Sequence, residues 1–190
     1  MALSLSGTTG IVTGNIADAN VTAGKLASGA ARANFGAGCI LQVVQGVNTN
    51  VQNSLTSSTF ADIPDITATI TPTSTSNKIL VMVSMYGGAT SNCSVRLVRG
   101  STPIAVNTTS PTGSRIVSSA GDFYANQQNT GCTISITFLD SPATTSSTTY
   151  KMQYLVQAGY QFCLNSNYND TNASYVTRGI STITLMEIAG

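Results

Sequence analysis

The chain has 190 residues and a net charge of +1, with only 8% charged residues and no histidine or tryptophan. Soluble domains carry about 25% charged residues, so surface polarity here comes from amides and hydroxyls, Ser and Thr making up about a quarter of the chain. The basic residues stand singly from Lys25 to Arg178, without the clustered footprint that phosphate neutralisation needs, which excludes nucleic-acid binding, and the longest apolar run, Ile79 to Val83, is far too short for a membrane span.

The first 38 residues form a Gly/Ala/Thr/Asn leader whose large apolar residues, Ile16, Val21 and Leu26, are spaced by five. This spacing favours neither a long helix nor a self-contained core. Such a segment becomes stable when symmetry mates hide its few apolar side chains at a shared axis. The sequence therefore divides into an N-terminal arm, residues 1–38, and one domain, residues 39–190, long enough for a sizeable core. The N-terminus shows neither the basic region nor the apolar stretch of a secretory signal, so synthesis and folding in a cytoplasm are expected, and the Asn-x-Ser/Thr triplets at Asn92, Asn107, Asn169 and Asn172 are not read as glycosylation sites.

From residue 39 the pattern is that of strands. Candidates in chain order are residues 39–46, 59–63, 66–71, 78–86, 95–99, 103–106, 115–118, 133–138, 150–157, 160–164 and 180–188. The alternation is clearest where Ile134, Ile136 and Phe138 oppose Thr133, Ser135 and Thr137, and where Tyr150, Met152, Tyr154 and Val156 alternate with Lys151, Gln153 and Gln157. That is the style of antiparallel, half-buried strands. Turn chemistry separates them: Pro64-Asp65, Pro72 to Asn77, Arg99 to Pro103, Ser110 to Gly113 and Asp140 to Ser147, where Asp140 reads as a turn residue. No helical period competes. The predicted fold is all-β, an antiparallel β-sandwich, most economically a jelly roll. One strand, Lys78 to Tyr86, is apolar on both faces and requires cover on both, from a second sheet plus the arm or from a neighbouring subunit; the subunit is favoured because a domain of this size has no spare layer.

Cys39, Cys93, Cys132 and Cys163 form no Cys-x-x-Cys pair, and at least three sit among apolar strand residues, so buried free thiols are expected rather than disulfides or a zinc site. No cofactor is called for. With histidine absent, the usual general base, serine activator and metal ligand are missing together. A glycosidase would need two carboxylates about 5–10 Å apart, and Asp122, Asp140, Asp170 and Glu187 are dispersed, Glu187 being expected to meet an Arg or solvent. The chain is read as a non-enzyme.

For binding, the segment Leu164 to Arg178 is the strongest candidate. Tyr168 and Tyr175 offer rings for a pyranose face, and Asn167, Asn169, Asp170 and Arg178 offer planar hydrogen-bonding groups, the mixture with which proteins hold sugars. The same residue types are also ordinary turn formers. Gly121 to Gly131 is a second candidate, equally readable as a connector or subunit contact.

In order along the chain, Cys39-Ile-Leu-Gln-Val-Val-Gln-Gly46, Ile70-Thr-Pro-Thr-Ser-Thr-Ser-Asn-Lys-Ile-Leu-Val81, Arg96-Leu-Val-Arg-Gly-Ser-Thr-Pro-Ile104, Phe138-Leu-Asp-Ser-Pro-Ala-Thr-Thr145 and Ile183-Thr-Leu-Met-Glu-Ile-Ala189 resemble blocks of tail-fibre and related virion structural proteins of tailed phages, of the kind predicted in phages of aquatic bacteria, cyanobacteria among them. The leader Gly14 to Ala27 is similar to the Thr/Lys/Leu/Ala segments repeated before this domain in longer members, with about one copy here. The resemblance implies a homotrimer of β-sandwich heads on a threaded arm, attached to tail, baseplate or capsid through residues 1–38, with Ile16, Val21 and Leu26 in that arm and the distant head loops facing host surface polysaccharide. A single leader copy implies a short fibre or cap. The alternative is a purely structural decoration fibre or adaptor whose loops meet other virion proteins.

Overall fold

Alternating inward and outward residues build eleven strands: β1 (Ile40–Asn48), β2 (Gln52–Leu55), β3 (Ala61–Ile70), β4 (Lys78–Ala89), β5 (Cys93–Arg99), β6 (Thr102–Ile104), β7 (Ala120–Gly121), β8 (Cys132–Asp140), β9 (Thr148–Val156), β10 (Phe162–Leu164) and β11 (Ser181–Ile188). They are seen in a computed structural model that describes residues 36–108, 113–121 and 130–190. The arm residues Ile16, Val21 and Leu26, and residues 122–129 of the second candidate loop, lie outside the described residues. Ala37–Gly190 forms one compact unit, and no helix occurs among the described residues.

The strands form two antiparallel sheets. In sheet A the order is β1-β11-β4-β10-β2, with β8 on the other edge of β4; in sheet B it is β3-β9-β5-β6, with β7 also on β5. Their inner faces share one core, in which Ile66 and Ile70 of β3, Ile79, Val81 and Met85 of β4, Val95 and Leu97 of β5, Met152 and Val156 of β9 and Ile183 and Leu185 of β11 are at most 2% exposed. Each such side chain contributes roughly 1.5–3 kcal/mol by leaving water. At one margin the sheets close tightly. A Cβ on Gly46 of β1 would strike the Thr67 carbonyl of β3, so only glycine lets these backbones meet.

Several sequence expectations change. Pro64-Asp65 does not end a strand: β3 runs on through it, with its register against β9 shifting between Asp62 and Thr67 and Asp65 at φ 61°. Proline has no ladder N–H and is tolerated at such a bulge, which here sends both Ile63 and Ile66 into the core. Residues 115–118 are not a strand; the short pairing there is β7, opposite Ser94 and Val95. Asp140 is not a turn residue but the buried last residue of β8. Its carboxylate takes both oxygens' worth of Arg99 Nη1 donation at 2.8 and 2.7 Å, and Tyr150 Oη donates to Oδ2 at 2.7 Å. Because Arg99 and Tyr150 belong to sheet B, this group pins the two sheets together at one end.

Glu187 departs from expectation in the same way. Fully buried on β11, it meets neither arginine nor solvent. Gln42 Nε2 donates at 2.6 Å, Asn77 Nδ2 at 2.6 Å, the Thr73 backbone N–H at 2.6 Å and the Thr73 hydroxyl at 2.8 Å. Burial works to raise its pKa, yet these neutral donors together hold it below the ordinary glutamate value. The Thr/Ser/Asn turn before β4 is thereby tied down, and Asn77 Oδ1 accepts the Gly190 N–H at 3.1 Å.

The register gives the body two ends. Ile40, Ile188, Lys78 and Asp140 lie at one, where the chain enters; Asn48, Ser181, Tyr86 and Cys132 lie at the other.

Candidate functional site

At the end away from the chain's entry, a buried neutral network holds the segment after β10. Asn165, at φ 60°, is fully buried. Its Nδ2 donates to the Asn48 and Asn50 carbonyls, both at 2.9 Å, its Oδ1 accepts from the Ser181 hydroxyl at 2.6 Å, and its own N–H donates to the Tyr86 carbonyl at 2.8 Å. Ser166 Oγ donates to Asn53 Oδ1 at 2.6 Å. A buried amide satisfied on both ends fixes its segment, since breaking any one bond strands a polar group.

On this base the predicted binding residues take separate places. Asn167 is fully buried and its Oδ1 accepts the Asp170 N–H at 2.8 Å, a loop-forming role rather than a ligand-facing one. Asp170 and Arg178 pair with each other, Nε to Oδ1 at 2.9 Å and Nη2 to Oδ2 at 2.6 Å. Hydrogen bonding to Arg178 holds the Asp170 carboxyl below the usual range, and the same bonds raise the guanidinium. The pair lines an open hollow of about 450 Å³ with Thr171, Asn172, Ala173 and Val176. Asn169 and Tyr175 are exposed, Tyr175 at 70%, and line neither this hollow nor the one beside Tyr168.

Tyr168, 37% exposed, lines the second hollow, of about 500 Å³, with Thr56, Thr90, Gly159, Tyr160 and Gln161. Tyr160, 42% exposed, was hidden inside the predicted strand 160–164. The strand begins only at Phe162. Before it, the Tyr160 N–H donates to the Gln157 carbonyl at 3.1 Å and Gly159 stands at φ 86°, the third position of a turn that requires a positive φ. Ala158-Gly159 was therefore the readable signal for a turn that presents Tyr160. Thr90 and Gln161 grip each other across the rim, the Thr90 N–H donating to the Gln161 carbonyl and the Gln161 N–H to Thr90 Oγ1, both at 3.1 Å.

The four cysteines are free thiols. Burial raises the pKa of Cys93 to about 12, with the nearby Cys132 adding to it, and raises those of Cys132 and Cys163. These thiols stay protonated near neutral pH and are poor nucleophiles. Among the described residues no group of three His, Cys, Asp or Glu is placed to hold a metal, and no helix is long and apolar enough to cross a membrane. No protein-family model and no curated protein matches the chain.

Proposed function

We propose that this chain is a non-enzymatic virion fibre protein of a tailed phage. In this reading a jelly-roll-like head assembles as a homotrimer, an N-terminal arm attaches it to the particle, and head loops contact host surface glycan. The observation that carries the reading is the outer face of sheet A. Residues directly opposite in antiparallel strands share a face, so the register aligns Val43, Met186, Leu80 and Leu139 as an apolar row across β1, β11, β4 and β8. Next to it run Gln45, Thr184, Met82 and Thr137, then Val47, Thr182, Ser84 and Ser135. Val43, Val47, Met82 and Leu139 are each 42–55% exposed, and Lys78 is the sole charge these four strands turn outward. An apolar and hydroxyl face repels no copy of itself and leaves water when another copy covers it.

The polarity of the body supports the same assignment, since the chain enters at one end and the tyrosine hollow opens at the other. The second reading, a purely structural decoration or adaptor piece, is favoured by the Asp170–Arg178 pair, which spends on itself the two charges expected to meet a ligand. Native mass by light scattering, with and without residues 1–38, tests the assembly. A trimer is expected, and a full-length monomer overturns the fibre reading. Adsorption of the intact trimer to a susceptible host, with competition against infection, separates the two readings: failure leaves the structural one.

A further inference from the structure

We infer that the hollow lined by Tyr160 and Tyr168 is a binding site for an uncharged glycan, and that the neighbouring Asp170–Arg178 hollow is not part of it. This rests on the fibre reading only for its biological setting. The site itself stands on the placement of two tyrosines, two threonines and one glutamine around a space of about 500 Å³.

A pyranose presents one or two faces of axial C–H groups and a rim of hydroxyls. The C–H groups carry slight positive charge and are weakly hydrated, so they stack on the electron-rich face of a tyrosine ring, and the hydroxyls pair with short polar groups at the edge. Both requirements are met here. Tyr160 and Tyr168 are partly exposed, and neither sits on a flexible tail: Tyr160 closes the Gln157–Tyr160 turn, while Tyr168 follows directly on the buried Asn165-Ser166-Asn167 run. Backbone held this way has little freedom left to lose on binding, which keeps the entropic cost of capture low. Thr56 and the Gln161 carboxamide supply the rim, while the Thr90 hydroxyl is taken up by the Gln161 backbone, donating to its carbonyl at 3.3 Å and accepting its N–H at 3.1 Å. The Gln161 side-chain N–H rests against Cys163 Sγ at 3.5 Å, a weak acceptor that a sugar oxygen readily replaces.

Selectivity follows from charge. None of the six lining residues is Asp, Glu, Lys or Arg. The charged pair of the same segment, Asp170 and Arg178, lines the other hollow, and its members satisfy each other through two hydrogen bonds. A uronic acid or sulfated sugar entering the tyrosine hollow gives up water around its anion and gains no cation in return, whereas a neutral hexose or N-acetylhexosamine pays no such penalty. A shallow open site of this kind binds each sugar weakly, and repetition of the site on one particle multiplies it.

The test uses the full chain on an array of immobilised oligosaccharides: neutral hexose, pentose and N-acetylhexosamine oligomers beside oligogalacturonate and sulfated galactan. The wild type is expected to retain on one or more neutral oligomers and to ignore the acidic ones. Tyr160→Ala and Tyr168→Ala should each weaken retention roughly tenfold or more, Tyr160→Phe should restore it because the ring remains, and Tyr175→Ala and Arg178→Ala should leave it within about twofold. Unchanged thermal unfolding of the Ala variants excludes a folding defect; if either unfolds early, the Phe variant and saturation-transfer NMR contacts to the tyrosine ring protons decide. Retention only on acidic oligomers, no retention on any neutral one, or retention indifferent to both tyrosines overturns the site. Native mass measured on the same samples keeps the two ideas apart: a trimer that holds no neutral glycan sinks this site alone, and a monomer that holds one sinks the fibre reading alone.

Discussion

The outer faces of the two sheets solve the problem of a water-facing sheet in opposite ways. Sheet B arms its face with charge that it satisfies itself. Lys151 Nζ meets Asp62 Oδ2 at 2.7 Å, Gln153 Nε2 meets Asp62 Oδ1 at 2.8 Å, Arg96 Nε donates to Gln153 Oε1 at 2.8 Å, and the Arg96 guanidinium lies 3.8 Å over the Phe60 ring. Three strands are thus laced by a polar ladder that remains content in solvent. Sheet A turns its carboxylates inward instead: Asp140 and Glu187 are both buried, and apart from Lys78 the outside is left to Val, Leu, Met, Gln, Thr and Ser. A face that keeps its carboxylates inside and its apolar row outside is suited to meeting another protein surface, and a face with a closed ionic ladder is suited to meeting water.

The sharpest break of this contrast is a single charge on sheet A. In an assembly that covers the face, Met82→Asp places repeated carboxylates in an apolar contact, which should weaken association roughly a hundredfold or more and lower the native mass to that of one chain. Light scattering reads the change, and Gln153→Asp on sheet B serves as the control that keeps the assembly. If both variants stay assembled, the interface lies elsewhere.

Next in size come the inward carboxylates. Asp140→Ala leaves Arg99 and the buried Tyr150 hydroxyl without their acceptor. Since Arg99 keeps partial access to water, the cost should fall near the lower end for a broken buried pair, about 3 kcal/mol, read from urea unfolding. Glu187→Gln keeps the shape but turns one acceptor oxygen into a donor facing donors, a cost of about 2 kcal/mol. This variant also carries a pH signature. Because the folded pKa of Glu187 lies below the ordinary value of 4.5, the unfolded chain takes the proton first as pH falls. The wild-type advantage over Glu187→Gln should therefore be whole above pH 4.5 and shrink as pH drops through the folded value. An advantage that grows in acid contradicts the hydrogen-bonding account.

The smallest effect is expected on sheet B. Asp62→Ala opens an exposed ladder and should change stability by about 0.5 kcal/mol or less, with a still smaller difference at high salt. A loss of several kcal/mol would mean that this face is covered rather than solvated.

Much of this fold was legible because a period of two survives in the sequence wherever one face is buried. Ile134-Ser135-Ile136-Thr137 and Tyr150-Lys151-Met152-Gln153 alternate, and both lie in strands with the apolar members inside. The double-faced apolar character of Lys78 to Tyr86 was legible too, and its outward Leu80 and Met82 became the centre of the sheet A face. Tyr168 was identifiable as an exposed ring, but Tyr160 was not, because a Tyr-x-Phe spacing reads equally well as the start of a strand and only the turn at Gly159 separates them. Asn167 misled for the converse reason. Nothing in a run of Asn, Ser and Asn distinguishes amides that face a ligand from amides that satisfy buried backbone, and here Asn165 and Asn167 do the latter.

By itself, then, the sequence determined that the body is all-β and antiparallel, where most strands lie and which of their faces is apolar, since these follow from local alternation and turn residues that act over a few positions. Only the tertiary structure decided the partners of the polar groups: that Asp140 clamps two sheets, that Glu187 is held by neutral donors 110 or more residues away, and that Asp170 and Arg178 pair. A hydrogen bond depends on distances of a few tenths of an ångström between residues far apart in the chain, and strand register sets those distances.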